Sequence, residues 1–285
     1  MTTVTRGTTP ATAPRTLRFG EHTVTWLPDG HVQLDPRRWL PDSTAADWAG
    51  RNAALLDPDG FLTASIGALL IRHGDRAMLV DAGFGPHAVP AENTHPALGA
   101  LVGGQLPAAL DAVGVDPAAI ELIAFSHLHD DHLGWALRPG PGLASPFVNA
   151  AFAASAAEWS HWARPAAGSS RTRTVGGGEE VFPGVTAWPT PGHTAGHTSY
   201  VLTSGERRLI AFGDLFHTPA QLARPDWRVV VDAHPERGAE ARRALLAELA
   251  RPGTAGFANH FSGAVFGRLA NHSGTPCWEP LEEFY

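Results

Sequence analysis

The chain contains no lysine; all 21 of its basic residues are arginine. Against 28 acidic residues they leave a formal charge of −7, and only 17% of the chain is charged. An acidic balance argues against a phosphate-backbone partner, which needs a basic face, and against an anionic membrane surface. Cysteine is nearly absent as well. Cys277 stands alone, which excludes an intrachain disulfide, and it reads as an ordinary small side chain. Tyrosine is limited to Tyr200 and Tyr285. No apolar run approaches the roughly 20 residues that span a bilayer. The opening MTTVTRGTTPATAPRT lacks the apolar core of a secretory signal. These absences predict a reduced, cytoplasmic, soluble protein with no nucleic-acid and no membrane partner.

What is present is a globular composition: 44% hydrophobic residues, with 31 glycines and 24 prolines. The 285 residues suit one large domain. Residues 1–16, rich in Thr, Pro and Ala, are expected to form a flexible N-terminal arm, leaving 17–285 as a single catalytic domain. Residues 66–72 and 77–81 flank the polar turn HGDR and predict a hairpin whose second strand is buried. Leu106, Leu110 and Val113 share a helical face that Gly114 stops. The run IELIAF (120–125) is too short for a typical helix and predicts a buried strand; residues 150–163 predict a helix. A second hairpin surrounds GER, and 235–250 is an amphipathic helix with Ala241, Leu245, Leu246 and Leu249 on one stripe. Hairpins followed by alternating helices and strands, in both halves, predict an α/β sandwich with helices outside two sheets.

The chemistry concentrates in SHLHDDHLGW (126–135), which delivers His127, His129, Asp130, Asp131 and His132 directly after the 120–125 strand. If His127 and His129 continue the strand, they point the same way. A turn can then direct Asp131 and His132 at a neighbouring point. Neutral imidazole and carboxylate are the ligands that zinc and similar divalent ions prefer. One histidine in a loop is usually a solvated or capping side chain; three in six positions after a buried strand point to metal. These ligands do not fill two sites, and the remainder is visible downstream: His193 and His197 in PTPGHTAGHTS, Asp214 in RLIAFGDLFH, and His260 in GFANHFSG. Each lies where a regular element hands over to a loop. His22, His31, His73, His95, His234 and His272 have no such context and read as surface or structural residues.

The ordered set His127, His129, Asp131, His132, His193, Asp214 and His260 resembles the metallo-β-lactamase fold superfamily, with HxHxDH, a lone G-H histidine, a bridging Asp and a last His. The resemblance runs over roughly residues 60–262. It implies an αββα sandwich of two mixed sheets flanked by helices. It also implies two divalent ions per chain, zinc first, with manganese, cobalt or iron as alternatives. His127, His129 and His193 would hold one ion, Asp131, His132 and His260 the other, and Asp214 would bridge them. Asp130 fills the variable position without a ligand role. Asp81 and His197 would orient the ligands from behind.

Within the superfamily, Asp214 separates this chain from zinc β-lactamases, which lack an aspartate there. Only 25 residues follow His260 (285 minus 260), too few for a helical substrate domain. The run GDLFHTPAQLARPDWRVVVD, FGP at 84–86 and Trp135 are closest in pattern to the methyl parathion hydrolase and lactonase-like branch. His217 stands where lactonases often carry tyrosine. The expected activity is that of a binuclear hydrolase that cleaves an ester or lactone with a metal-bridging hydroxide, promiscuous toward phosphotriesters. The alternative is a narrow hydrolase or lyase of secondary metabolism. Asp131, Asp214 and His217 are the catalytic candidates, His217 as proton shuttle or as a support for Asp214. Phe84, Trp135, Trp159, Trp162 and Phe216 are candidates for an apolar substrate pocket, with core the default for most of them. The resemblance also makes a homodimer an option.

Overall fold

The structure, a computed structural model, describes residues 12–161 and 170–283. The first half of the chain builds one mixed sheet from β1 (Arg15–Phe19), β2 (His22–Leu34), β3 (Leu62–His73), β4 (Arg76–Val80), β5 (Ala88–Val89), β6 (Leu98–Val102), β7 (Leu122–Ala124), β8 (Ala151–Ala154) and β9 (Thr172–Thr174). Their order is β5-β6-β2-β3-β4-β7-β8-β9, with β1 on β2. The second half builds the other sheet from β10 (Glu180–Phe182), β11 (Val185–Pro189), β12 (Thr198–Ser204), β13 (Arg207–Ala211), β14 (Thr254–Phe257), β15 (Phe266–His272) and β16 (Thr275–Pro280), in simple sequence order. The α-helices are α1 (Pro36–Trp39), α2 (Leu106–Ala112), α3 (Asp130–Leu137), α4 (Ala156–His161) and α5 (Pro235–Leu249). None of the described helices is long and apolar enough to cross a membrane.

Strand alternation shows why four layers form. In β3, Leu69 and Ile71 join the core between the sheets, while Ala68 and Leu70 join the core under α2 and α3. Met78 and Val80 likewise oppose Ala77 and Leu79, and Leu209 and Ala211 oppose Ile210 and Phe212. A strand covered on both faces is apolar throughout, which is why these segments read as continuous hydrophobic runs. Leu106 and Leu110 of α2 and Leu133 of α3 close one outer layer; Leu245 and Leu249 of α5 close the other. The arrangement is the expected αββα sandwich.

Two boundaries differ from the sequence reading. β1 begins at Arg15 and pairs Thr16 with Thr25, so the arm cannot extend to residue 16; residues 1–11 lie outside the described range. The helix expected over 150–163 is instead strand β8 followed by helix α4. Alanine-rich AAFAA has no period to read, and parallel pairing of Ala151 with Leu122 and Phe152 with Thr172 decides the matter.

Candidate metal centre

β4 and β7 are parallel neighbours, so their ends emerge side by side at one sheet edge. There Asp81 adopts a left-handed φ of 63°, which non-glycine residues rarely do. Its carboxylate accepts the Ser126 amide (2.8 Å) and the Ser126 hydroxyl (2.9 Å), and lies 2.9 Å from His132 Nδ1. Beyond β7, His129 sits at the N-cap of α3 with Asp130 and Asp131 in its first turn, where the helix dipole favours negative charge. Asp130 turns away to an ion pair with Arg138. The second sheet supplies the rest from its own loop edge. His193 precedes β12, Asp214 follows β13 and His260 follows β14.

The side chains converge in two adjoining groups. His127, His129, His193 and Asp214 offer ligand atoms all within 4.8 Å of one another, and so do Asp131, His132 and His260. In the first, His127 Nε2 is 2.9 Å from His129 Nδ1, and His193 Nε2 is 3.1 Å from the same atom. Asp214 Oδ2 faces this group, 3.3 Å from His193 Nε2 and 3.7 Å from His127 Nε2. Asp214 Oδ1 faces the other, 3.0 Å from His260 Nε2 and 3.2 Å from His132 Nε2. Asp131 Oδ2 completes it at 3.5 Å from His132 Nε2 and 3.8 Å from His260 Nε2. A tetrahedral zinc with bonds of about 2.0 Å has ligand-to-ligand edges of about 3.3 Å, so both groups are of the right size. Two of these atoms, His132 Nε2 and Asp214 Oδ1, are buried without a hydrogen-bond partner among the described residues. They lie 3.2 Å apart without a hydrogen bond between them, and buried polar atoms of this kind ordinarily have a partner, a place a cation would fill.

The hydrogen bonds behind the imidazoles select the tautomer each presents. Ser126 Oγ gives its one proton to Asp81 and therefore accepts from His127 Nδ1–H. His132 Nδ1–H donates to Asp81, His193 Nδ1–H to Asp232, and His260 Nδ1–H to the Ser65 carbonyl. All four turn Nε2 inward as the nitrogen left for a cation; His129 faces inward with Nδ1 instead. His197 is different, because its Nε2 lone pair accepts the Asp214 amide at 3.1 Å and its Nδ1 lies 2.9 Å from Thr190 Oγ1. It holds the Asp214 backbone, which turns at Gly213 with φ 51°; a Cβ there would sit 2.6 Å from His197 Nε2.

Burial, then neighbouring imidazoles, hold His127 well below its ordinary value and His129 down to about 4. Burial dominates His197, at about 3, and His217, at about 4. His193 goes the other way, to about 9: burial opposes the charge, but Asp214 and Asp232 outweigh it. Burial likewise opposes the Asp214 carboxylate, yet His260, His132 and His127 around it keep it well below the usual range. Burial opposes the charge on His132 and His260 too, but Asp214 and Asp131 raise both, so His132, His193 and His260 would each release a proton on taking a cation. The side chains present nitrogen and carboxylate oxygen atoms of the kind first-row divalent ions bind.

His217 also arrives at this centre. Its Nε2 is 3.1 Å from Asp214 Oδ2, its ring stacks on His260 at 5.2 Å, and its Nδ1 is buried without a partner among the described residues. Asp214, His217 and His260 form a third group that could hold a metal. Beside His217 and His260 opens a cavity of about 350 Å³, walled by Leu55, Leu62, Ala264 and Trp278.

The four described aromatic candidates for a substrate pocket do not gather at this cavity, and Phe84 lines a separate one with Pro86, His87 and Arg138. Phe84 is buried in the cluster around Trp39 and Trp227, and Phe216 is fully buried beneath α5. Trp135 donates its indole N–H to Asp29 at 2.7 Å, and Trp159 donates to the Arg173 carbonyl at 2.9 Å. None of these four lines the cavity, and Trp162 lies outside the described residues. An apolar ring in sequence carries no mark of which layer will cover it. Trp278, on β16, is the aromatic residue the cavity does use.

Three supports also had no signature in sequence. Glu158, buried on α4, accepts the Leu128 and Gly196 amides at 3.0 Å each and so joins the two ligand loops. Asp29, buried in β2, accepts the amides of Phe84, Gly85, Gly104 and Leu106. Asp232 stands behind His193. Their partners are backbone or distant in sequence, so only spacing at a shared motif could have revealed them, and there is none.

Comparison with known proteins follows the same lines. The family profile described as the Metallo-beta-lactamase superfamily matches residues 66–255, two-thirds of the chain. The solved structure of AidC, described as a dizinc quorum-quenching lactonase, superimposes with a TM-score of 0.80 at 20% identity, covering 94% of this chain and 97% of that one. AbOPH, described as a hydrolase in the beta lactamase superfamily, gives 0.76 at 22% identity, with 96% and 99% covered. A probable metal-dependent hydrolase from Staphylococcus aureus gives 0.77 at 18% identity, with 93% and 99% covered. Likeness at these identities is likeness of fold; the profile match, made over the segment that carries six of the seven ligand candidates, establishes that the chain belongs to the metallo-beta-lactamase superfamily.

Proposed function

We propose that the protein is a binuclear metal-dependent hydrolase that cleaves an ester or lactone in a small molecule. The observation that carries this reading is the division of Asp214, one carboxylate oxygen to each of two adjoining ligand groups. His127, His129 and His193 would hold one cation, Asp131, His132 and His260 the other, and Asp214 would contact both. Divalent cations, zinc by this donor set, would supply Lewis acidity and a water of near-neutral pKa.

The chain's own residues do the rest. The bonds behind His127, His132, His193 and His260 hold Nε2 inward, so little rearrangement is left for catalysis. His217 Nε2 lies 3.1 Å from Asp214 Oδ2 and, as its donor, would orient that carboxylate. The cavity beside His217 and His260 has mostly apolar walls and room for the acyl part of a small ester or lactone. Structural neighbours described as lactonases support this choice of substrate class. The net charge of −7 supports a small-molecule substrate over nucleic acid.

Metal analysis combined with a substrate panel tests the proposal: acyl-homoserine lactones, p-nitrophenyl esters, paraoxon-type triesters and nitrocefin. Two cations per chain with lactone or ester turnover is the expected result. Two cations with no turnover on the panel would point to a narrower substrate, and no bound cation with turnover untouched by chelation would overturn the reading.

A further inference from the structure

His193 differs from the other imidazoles of the centre in what stands behind it. His132 leans on Asp81, which also binds Ser126; His260 leans on a backbone carbonyl and His127 on a hydroxyl. His193 alone leans on an ion pair. Its Nδ1 is 3.0 Å from Asp232 Oδ1, while Asp232 Oδ2 accepts the Val229 amide at 2.9 Å and lies 3.3 Å from Arg242 Nη1. Both side chains of this pair are fully buried.

Arg242 belongs to the middle of α5, on the face that also buries Leu245 and Leu249. Its Nε donates to the Pro225 carbonyl at 2.7 Å. A guanidinium buried on an otherwise apolar helix face costs stability unless it is well paired. The loop carrying His193 is joined to the same helix. Ala233 and His234 donate their amides to the His193 and Gly192 carbonyls, and a Cβ on Gly192 would sit 2.2 Å from the Gly238 nitrogen of α5. None of these contacts reaches the group formed by Asp131, His132 and His260.

We propose that Asp232 and Arg242 are a positioning pair that locks the His193 ring and ties retention of the cation held by His127, His129 and His193 to the docking of α5. The inference rests on the metal-centre reading above. The pair makes the two cation sites unequal: one is braced by α5 through Asp232 and Arg242, the other by Asp81 behind His132 and the Ser65 carbonyl behind His260. Loss of the pair therefore loosens one site and spares the other.

The test is chelator competition with zinc on the full-length protein, read as affinity at each of the two sites. Asp232→Ala is expected to weaken one site by about 10–100-fold and leave the other unchanged. Asp232→Asn keeps an acceptor for His193 Nδ1–H and is expected to recover part of that loss. If Asp232→Ala leaves Arg242 too costly to bury and the chain does not fold, Asp232→Leu combined with Arg242→Met decides, since no charge is then left unpaired. This double variant is expected to fold and to show the same one-site loss. Parental affinity at both sites in the double variant would overturn the proposal. Equal weakening of both sites would reduce the pair to a folding element and overturn it too. A parent protein that binds no zinc would overturn the metal-centre reading and this inference together.

Discussion

Asp214 is the residue on which both ligand groups depend, because each takes one of its oxygens. Asp214→Ala is expected to abolish turnover and to lower cation content at both sites; full activity in that variant would show that the aspartate is not shared. His217 touches Asp214 through a single nitrogen. His217→Ala is expected to slow turnover while cation content stays near two, and loss of a cation would instead assign His217 as a ligand. The titrating groups also set a pH profile for the protein freed of metal. His129, His197 and His217 are held at about 4, 3 and 4, below the ordinary 6.5, so the unfolded chain takes up protons that the folded one refuses. Their contribution is lost as pH falls from 6.5 toward 4. His193, raised to about 9, contributes below 6.5 and loses that contribution as pH rises through 9. Melting temperature is expected to peak near neutral pH and fall on both sides; a flat profile from pH 6.5 to 4.5 would contradict the assigned environments.

At the scale of elements, regular segments act as brackets for loops. α4 is only six residues long, yet its Glu158 joins the HxHxDH loop to the His193 loop. Glu158→Gln converts one acceptor oxygen to a donor that faces an amide. It is expected to destabilise the protein by about 1–3 kcal/mol, measured by denaturant unfolding. α5 was readable from its apolar stripe, and Leu245, fully buried, is its anchor. Leu245→Ala is expected to cost about 2–5 kcal/mol. That stripe did not reveal Arg242 as part of the buried face, since an arginine on a surface helix ordinarily lies at the solvent margin. β8 was misread as helix for a related reason. Alanine suits either conformation, and its parallel partners lie some 20 to 30 residues away in sequence.

For the whole molecule, the division of the chain into two sheets is also the division of the ligands. His127, His129, Asp131 and His132 come from the first sheet; His193, Asp214 and His260 come from the second. Cations at their meeting edge would cross-link the two halves. A ligand bound only by the folded state, at 100 times its dissociation constant, adds about 2.7 kcal/mol. Chelation is therefore expected to lower the melting temperature by several degrees as well as to stop turnover, and an unchanged melting curve would show that the halves hold together without it.

The order and spacing of the seven ligand candidates and the main alternation of helices and strands were properties of the sequence itself. Metal-binding side chains of the right type must appear together at loop starts, and apolar periodicity follows from which faces are covered. The tertiary structure decided which nitrogen each histidine presents, which aromatic rings meet the cavity, and which buried charges stand behind the ligands. Those depend on partners from the other sheet or the outer helices, brought within hydrogen-bond range only when the layers close.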